Sequence, residues 1–348
     1  MIAGQSPAAA SPLCGRSLAA LAHGRPRVCL RAEPISRSHR EEITLGEIVV
    51  SGGTGLVGER LISALVADGT GVRAVTRNPA AAKFPASVRA VGWDGLHMSA
   101  ESLMDADAVV HLAGESVFGG IPTAARRRRI RGSRIESARH ISKTLGELPA
   151  EARPHTFVCA SAVGFYGDRG EQLLDEGAAP GEGFLSEVCV DWEDAAGEAE
   201  AHGVRVVQLR IGVVLSAAGG ALPMMARAFR LGLGGRLGSG NQWFPWIHIE
   251  DLVRLIGAAL ANPRYQGPVN AVAPGAITNA GLTQALGQVL SRPTLLPVPG
   301  VAVRWLLGPL SDELLGSKRV VPTVAQQHGF EFRHPQLAPA LASLLAQG

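Results

Sequence analysis

Two rhythms of apolar and polar positions run along the chain from residue 47 onward. Short apolar runs end at turn residues: Glu47–Ser51 stops at Gly52, and Val72–Thr76, Ala108–Leu112, Thr156–Ser161 and Val204–Val214 share that texture. Each is predicted as a buried strand. Between them lie stretches with apolar residues three and four apart. Glu59–Asp68 places Leu61, Ile62, Leu65 and Val66 on one helical face and ends at Asp68-Gly69, and Ser133–Leu148 and Glu187–His202 also read as helices. Strands alternating with helices imply βαβ units, hence an α/β fold with a doubly wound parallel sheet. After residue 215, Gly- and Pro-rich loops (Gly232–Gly240, Pro293–Pro299) separate helices at Glu250–Ala261 and Asn279–Leu290. Three parts follow: a leader over 1–45, a sheet-building domain over 46–215, and a small C-terminal lobe over 216–348 that completes the fold on the substrate side.

The first strand runs into Gly52-Gly53-Thr54-Gly55-Leu56-Val57-Gly58, with a helix directly after. Such a turn suits a pyrophosphate. Gly52 permits the tight turn, Gly55 lets the backbone come close, and Gly58 allows helix–strand packing. Thr54, Leu56 and Val57 lie between them at the positive end of the helix. The spacing is GxxGxxG rather than GxGxxG, and a purely structural glycine turn would have the same letters. The strand before, the helix after and the second strand in register favour a Rossmann-type dinucleotide site. That second strand ends Thr76-Arg77-Asn78, with Arg77 where an NAD site carries Asp or Glu. A guanidinium pairs with a 2′-phosphate that a carboxylate would repel, so NADP is the expected cofactor. A solvated surface arginine is the alternative.

Composition allows a large core and excludes global disorder: of 348 residues, 46% are hydrophobic and 18% charged. The net charge of +3 is unevenly spread. Residues 1–40 hold six Arg, one acid (Glu33), five Ser and eight Ala, which leaves 27 bases and 29 acids in the remainder. A basic, Ser-rich, acid-poor start is the composition of an organellar transit peptide, and its Ala-rich, Arg-only character leans to chloroplast over mitochondrion. Near-neutral charge elsewhere argues against nucleic acid as a partner. No run is long and apolar enough to be a transmembrane span. Cys159 and Cys189 are too few for a disulfide framework. No His pair has metal-ligand spacing, so no metal is expected. His248, before Glu250-Asp251, suits a helix cap.

Further motifs bring a family into view. Val109-Val110-His111-Leu112-Ala113-Gly114-Glu115 and Ser161-Ala162-Val163-Gly164-Phe165-Tyr166-Gly167 resemble the fourth- and fifth-strand signatures of extended short-chain dehydrogenase/reductases. Together with GSRIE (132–136), Trp192-Glu193, FPWIHIEDL (244–252) and the tail from Val321-Pro322-Thr323 to Phe332, they resemble one branch. It is the atypical epimerase family of bacterial SulA-type proteins, a mitochondrial animal member and the plant giant-chloroplast protein. The resemblance covers about residues 46–345. It implies NADP contacts from Thr76, Arg77, Leu112, Ala113 and Gly114, with Asp94 toward the adenine, and from Arg134 and Val213. Arg129 occupies a position that faces the cofactor in relatives. The resemblance also implies two functions: an oxidoreductase or epimerase acting on a nucleotide-sugar-like small substrate, or a non-catalytic NADP-binding factor in plastid division at the inner envelope.

The departure from the family lies in its chemistry. Ordinary members use Tyr-x-x-x-Lys, in which Lys lowers the Tyr pKa for proton relay. Here the only tyrosines are Tyr166 and Tyr265, followed four residues later by Gly170 and Val269. Aligned on Glu193, the Tyr slot falls near Leu185 and the Lys slot near Cys189. Ser161 and Tyr166 remain as catalytic candidates, Tyr166 equally readable as a packing residue. Asp191 and Glu193 read more simply as a cap and a surface charge. Arg126–Arg129, Arg131, Arg134 and Arg139 form a basic helix, readable as a solvated face, an anion site or a peripheral membrane contact. The loop 232–246 suits a substrate lid or a docking surface for the lobe. Homo-oligomerisation stays open.

Overall fold

The computed structural model describes residues 46–117, 123–294, 297–308 and 311–346; the expected leader over 1–45 lies outside them. In chain order β1 (Glu47–Ser51) leads through α1 (Leu56–Ala67) to β2 (Gly71–Thr76) and β3 (Val88–Gly92). Next come α2 (Ala100–Leu103), β4 (Ala108–His111), α3 (Ala124–Glu147), β5 (Thr156–Ala162), β6 (Leu173–Leu174), α4 (Phe184–Gly197) and β7 (Arg205–Ile211). The chain continues through β8 (Val213–Ser216), β9 (Gly219–Gly220), α5 (Ala221–Arg230), β10 (Trp243–Phe244), β11 (Trp246–His248), α6 (Ile249–Ala261), β12 (Gly267–Ala271), β13 (Ile277–Thr278) and α7 (Asn279–Leu290). It ends with α8 (Gly300–Leu307), α9 (Ser311–Leu315), β14 (Arg319–Val320), α10 (Thr323–Gln327) and α11 (Leu337–Leu345). Seven strands form one sheet in the order β12-β7-β5-β4-β1-β2-β3. Every neighbouring pair in it is parallel.

The strands are near-continuous apolar runs because both faces of the sheet are covered. Ile48, Val50 and Val110 face α1 and α6, packing with Leu61, Ile62, Leu252 and Ile256. Val49, Val109 and Phe157 face the other way, against Ile135, Ile141, Leu145 and Trp192 of α3 and α4. The switch point lies between β1 and β4: the chain leaves β1 toward β2 and β3, then returns on the opposite side. Ligands of such sheets bind in the crevice at the carboxyl ends of the strands flanking that point.

Three elements differ from their predicted forms. The strand expected over Val204–Val214 breaks at Gly212: β7 stays in the main sheet, while β8 pairs with β11 in a separate three-stranded sheet. A run of apolar residues does not show which of two sheets each half joins. The helix expected to begin at Ser133 starts instead at Ala124, where the Thr123 hydroxyl accepts from the Arg126 N–H at 3.2 Å. The stretch after residue 215 is not wholly a separate lobe. α6 covers the main sheet and β12 is its edge strand, while α5, α7 and α11 pack around Trp246 in their own core.

Candidate dinucleotide site

The carboxyl end of β1 turns at Gly52, whose φ is +73° and whose added Cβ would lie 2.7 Å from the Ala113 nitrogen. Only glycine fits there. A Cβ on Gly58 would lie 2.2 Å from the Gly52 carbonyl oxygen, so the third glycine lets α1 start directly against the turn. Gly55 is the N-cap of α1, and no side chain caps its first turn. The orphan N–H groups and the positive helix end are therefore left for an anion. These features fit a pyrophosphate.

A cleft of about 790 Å³ opens at this point. Of the residues singled out from sequence, Gly52, Thr54, Gly55, Thr76, Arg77, Asp94, Leu112, Ala113 and Gly114 line it. Arg77 and Arg128 are both exposed, and neither has an ion pair among the described residues. Asp94 is oriented by its own turn: its carboxylate accepts from the backbone of Leu96 and His97, both at 2.7 Å, and pairs with His97 Nδ1. Those bonds hold its pKa far below the usual carboxylate range.

One face of α3 forms a wall of the cleft. Ala125, Arg128, Arg129, Gly132, Ser133 and Glu136 all line it. Their spacing of three and four residues is one face of α3. Most of that stripe lies before Ser133, in the Arg-rich stretch that the sequence also marks as a basic helix. The Arg-rich run is accordingly not one solvated face. Arg126 is buried and donates to the Ser116 carbonyl at 2.7 Å, while Arg131 pairs with Asp191 and Arg139 with Glu198. Arg129 lies 3.8 Å from Glu115.

Several sequence-derived candidates sit outside the cleft lining. Leu56 packs toward Gly219 and Gly220, and Val57 belongs to the core layer of α1. Val213 is on β8, in the separate sheet. Arg134 lies behind the lining: its guanidinium donates to the carbonyls of Glu115 (2.9 Å) and Ile130 (3.0 Å), stacks over Trp192 and abuts Gly114. Burial lowers its pKa. It therefore shapes the Gly114 wall without entering the cleft.

The two catalytic candidates need correction. Tyr166 is fully buried, and its hydroxyl donates to Asn270 Oδ1 at 2.7 Å and accepts from Arg210 Nη1 at 3.0 Å. Burial pushes its pKa up to about 12. It does not line the cleft. Ser161 is also buried and donates to Glu193 Oε1 at 2.6 Å. Glu193, read as a surface charge, is the buried partner of Arg210. Cys189, at the Lys slot, is a buried thiol pushed up to about 12 by desolvation.

The loop 232–246 is docked rather than lid-like. Leu237 bridges to Val298, Trp243 and Phe244 pair with Thr278 and Ile277, and Trp246 is buried. His248 caps α6, its Nδ1 accepting from the Glu250 N–H at 3.1 Å. In space, His248, Glu250 and His334 do cluster, with ligand atoms within 4.8 Å of one another. Spacing along the chain conceals this because His334 comes from the tail. The two rings stack at 3.6 Å and 20°, which sets their ring-plane lone pairs side by side rather than converging on one ion.

A model of the NAD dependent epimerase/dehydratase family matches residues 48–273. The chain belongs to that family. A second model, a domain of unknown function (DUF1731), matches residues 298–344. The chloroplastic SDR39U1 homologue of Arabidopsis thaliana, an epimerase family protein, is 40% identical over 310 residues, covering 86% of each chain. The crystal structure of human SDR39U1 (isoform 2) with NADPH superposes with a TM-score of 0.78 at 32% identity, covering 87% of this chain and all of that one. A nucleoside-diphosphate sugar epimerase from Corynebacterium glutamicum superposes with a TM-score of 0.71 at 33% identity, covering 87% of this chain and 59% of that one. The uncapped α1 turn and its glycine cradle fall within the matched segment. No described helix is long and apolar enough to cross a membrane.

Proposed function

We propose that the protein is an NADP(H)-dependent oxidoreductase or epimerase acting on a nucleotide-sugar-like small substrate. The observation that carries the choice of NADP is the pair of exposed guanidinium groups, Arg77 and Arg128, that line the cleft without ion-pair partners among the described residues. A 2′-phosphate supplies the dianion they lack. The NADPH bound by the human relative supports the same preference. When bound, the dinucleotide supplies hydride exchange at its nicotinamide. The chain's part is to hold the pyrophosphate on the Gly52–Gly58 turn and to lay the molecule across β1 and β4. The sugar-nucleotide class rests on the name of the Corynebacterium relative. The chloroplast address rests on the leader composition and on the Arabidopsis relative.

One observation favours a second reading. No Tyr-x-x-x-Lys exists in the chain, and losing a general acid–base group costs about 10²–10⁴ in rate. A non-catalytic NADP-binding factor, acting in plastid division at the inner envelope, would need no such pair. Fluorescence titration with NADPH and NADH tests the cofactor. Turnover of NADPH or NADP⁺ with a panel of sugar nucleotides and simple carbonyls then separates the two readings. Tight binding with no turnover across the panel counts for the second.

A further inference from the structure

The substrate end of this cleft follows from the order of the strands. The lining runs from Arg77 at the end of β2, past the turn after β1, to Leu112–Gly114 after β4. β5 is the next strand in that direction, and its carboxyl end leads into Gly164. From β2 to β5 is three inter-strand spacings, about 14 Å. A dinucleotide with its adenosine end at Arg77 therefore carries its nicotinamide toward Gly164.

An ionisable pair from the far end of the chain stands at that point. A Cβ added to Gly164 would lie 3.3 Å from Glu313 Oε2, 3.5 Å from Leu185 Cβ and 3.7 Å from Cys189 Sγ. Leu185 and Cys189 are the positions at which the missing Tyr and Lys would fall. Lys318 Nζ is 3.3 Å from Glu313 Oε2, and its side chain is 3% exposed against 16% for Glu313. The segment that carries them is fastened to the loop after β5. The Ser317 hydroxyl donates to the Gly170 carbonyl at 2.6 Å, its N–H to Asp168 Oδ1 at 3.0 Å, and β14 pairs with β6. The pair is thus held in a fixed place against the carboxyl edge of the sheet.

We propose that Glu313, positioned by Lys318, takes over the proton transfer of the family's Tyr–Lys pair, a site formed across about 150 residues of chain rather than within one helical turn. The proposal rests on the cofactor reading above. For a secondary alcohol, the carbinol C–H pair leaves as hydride to an oxidised nicotinamide dinucleotide. The O–H proton goes to the Glu313 carboxylate, and C=O forms. In the reverse direction, the neutral carboxyl returns the proton to the oxygen as hydride arrives at carbon. Lys318 holds the carboxylate in place and balances its charge while it is ionised. The substrate class is a neutral hydroxyl- or carbonyl-bearing carbon, since an anionic group would meet the Glu313 charge.

The test needs no substrate, because oxidised nicotinamide carries a positive charge that reduced nicotinamide lacks. Kd values for NADP⁺ and NADPH are measured by fluorescence and calorimetry on the full chain, on Glu313→Gln and on Lys318→Met. With the pair facing the ring, Glu313→Gln raises the Kd ratio NADP⁺/NADPH at least threefold, and Lys318→Met lowers it by a similar factor. Each variant keeps its NADPH affinity within threefold, which also shows that it is folded. A ratio unchanged within twofold in both variants overturns the proposal while leaving the cofactor reading intact. Failure of the unaltered chain to bind either dinucleotide overturns both.

Discussion

The Arg210 guanidinium grips the Glu193 carboxylate with two parallel bonds, Nε to Oε1 at 2.9 Å and Nη2 to Oε2 at 2.8 Å, both side chains being buried. The same Oε1 accepts the Ser161 hydroxyl, and Arg210 also lies 3.5 Å over the Phe165 ring. One ion pair thereby ties β5, β7 and α4 together behind the cleft. Replacing Glu193 with Gln leaves a buried cation uncompensated, with an expected loss of about 3–5 kcal/mol in urea unfolding. Ser161→Ala removes one bond to a charged acceptor and is expected to lose about 1.5–3 kcal/mol. If Ser161→Ala instead left stability untouched and abolished turnover, the structural assignment of this serine would be wrong.

Cofactor preference should follow Arg77 and Arg128. Each contact to a phosphate dianion is worth about 1.5–3 kcal/mol, or roughly ten- to hundredfold in Kd. Arg128→Ala should weaken NADPH by about tenfold or more and leave NADH nearly unchanged. Arg77→Asp should reverse the preference. Equal affinity of the unaltered protein for the two cofactors would sink the assignment.

Stability should fall on mild acidification. Burial, then the stacked His334, lowers the His248 pKa to about 4, against the attraction of Glu250 and Asp251. His111, buried between Ser51 and Ser137, is lowered to about 3 by desolvation, with Arg134 adding to the effect. Both are neutral in the folded protein where the unfolded chain would be protonated. Unfolding therefore takes up protons, and stability rises with pH through this range. The contribution is fully present above about pH 6.5 and is lost as pH falls toward about 4 for His248 and about 3 for His111. His248→Asn keeps a capping oxygen and removes the titration, so it should flatten the slope of unfolding free energy against pH between 4 and 6.5. The His111 share should remain.

Asp251 is expected to anchor the tail. It is fully buried, and it accepts the backbone N–H groups of Arg333 and His334, both at 2.8 Å, together with Arg254 at 3.1 Å. Asp251→Ala leaves two backbone donors without their acceptor, a loss of about 2–5 kcal/mol. Hydrogen exchange at residues 333 and 334 should quicken before that of β1 or β4. Uniform exchange across the chain would mean that the tail is held elsewhere.

The strands, the turn and the family were legible because they depend on local order. The apolar runs over 47–51, 72–76, 108–112 and 156–161 each feed one sheet, and Gly58 meets a steric demand set by Gly52 and Gly53 close by in the chain. The exact start of α3 was not, because an Arg-rich segment, though readable as a basic helix, has no apolar stripe to mark where it begins. Its ordering comes from Thr123, from the buried Arg126 and from the cleft that its Arg128–Glu136 face walls in. Glu193 read as a surface charge because its partner, Arg210, lies not on α4 but on β7. Tyr166 sat on the right strand end, but side-chain direction decided its role, and it points inward to Asn270.

By itself, then, the sequence determined an α/β chain with a dinucleotide turn and no Tyr-x-x-x-Lys pair, because periodicity, glycine spacing and a missing motif are properties of neighbouring residues. Only the tertiary structure decided which groups come together: Arg77 and Arg128 in one cleft lining, Glu193 with Arg210, His248 with His334, and Glu313 with Lys318 over Gly164. Those pairings depend on which strand ends and tail segments the packed sheet brings together, and that is set by burial of the core.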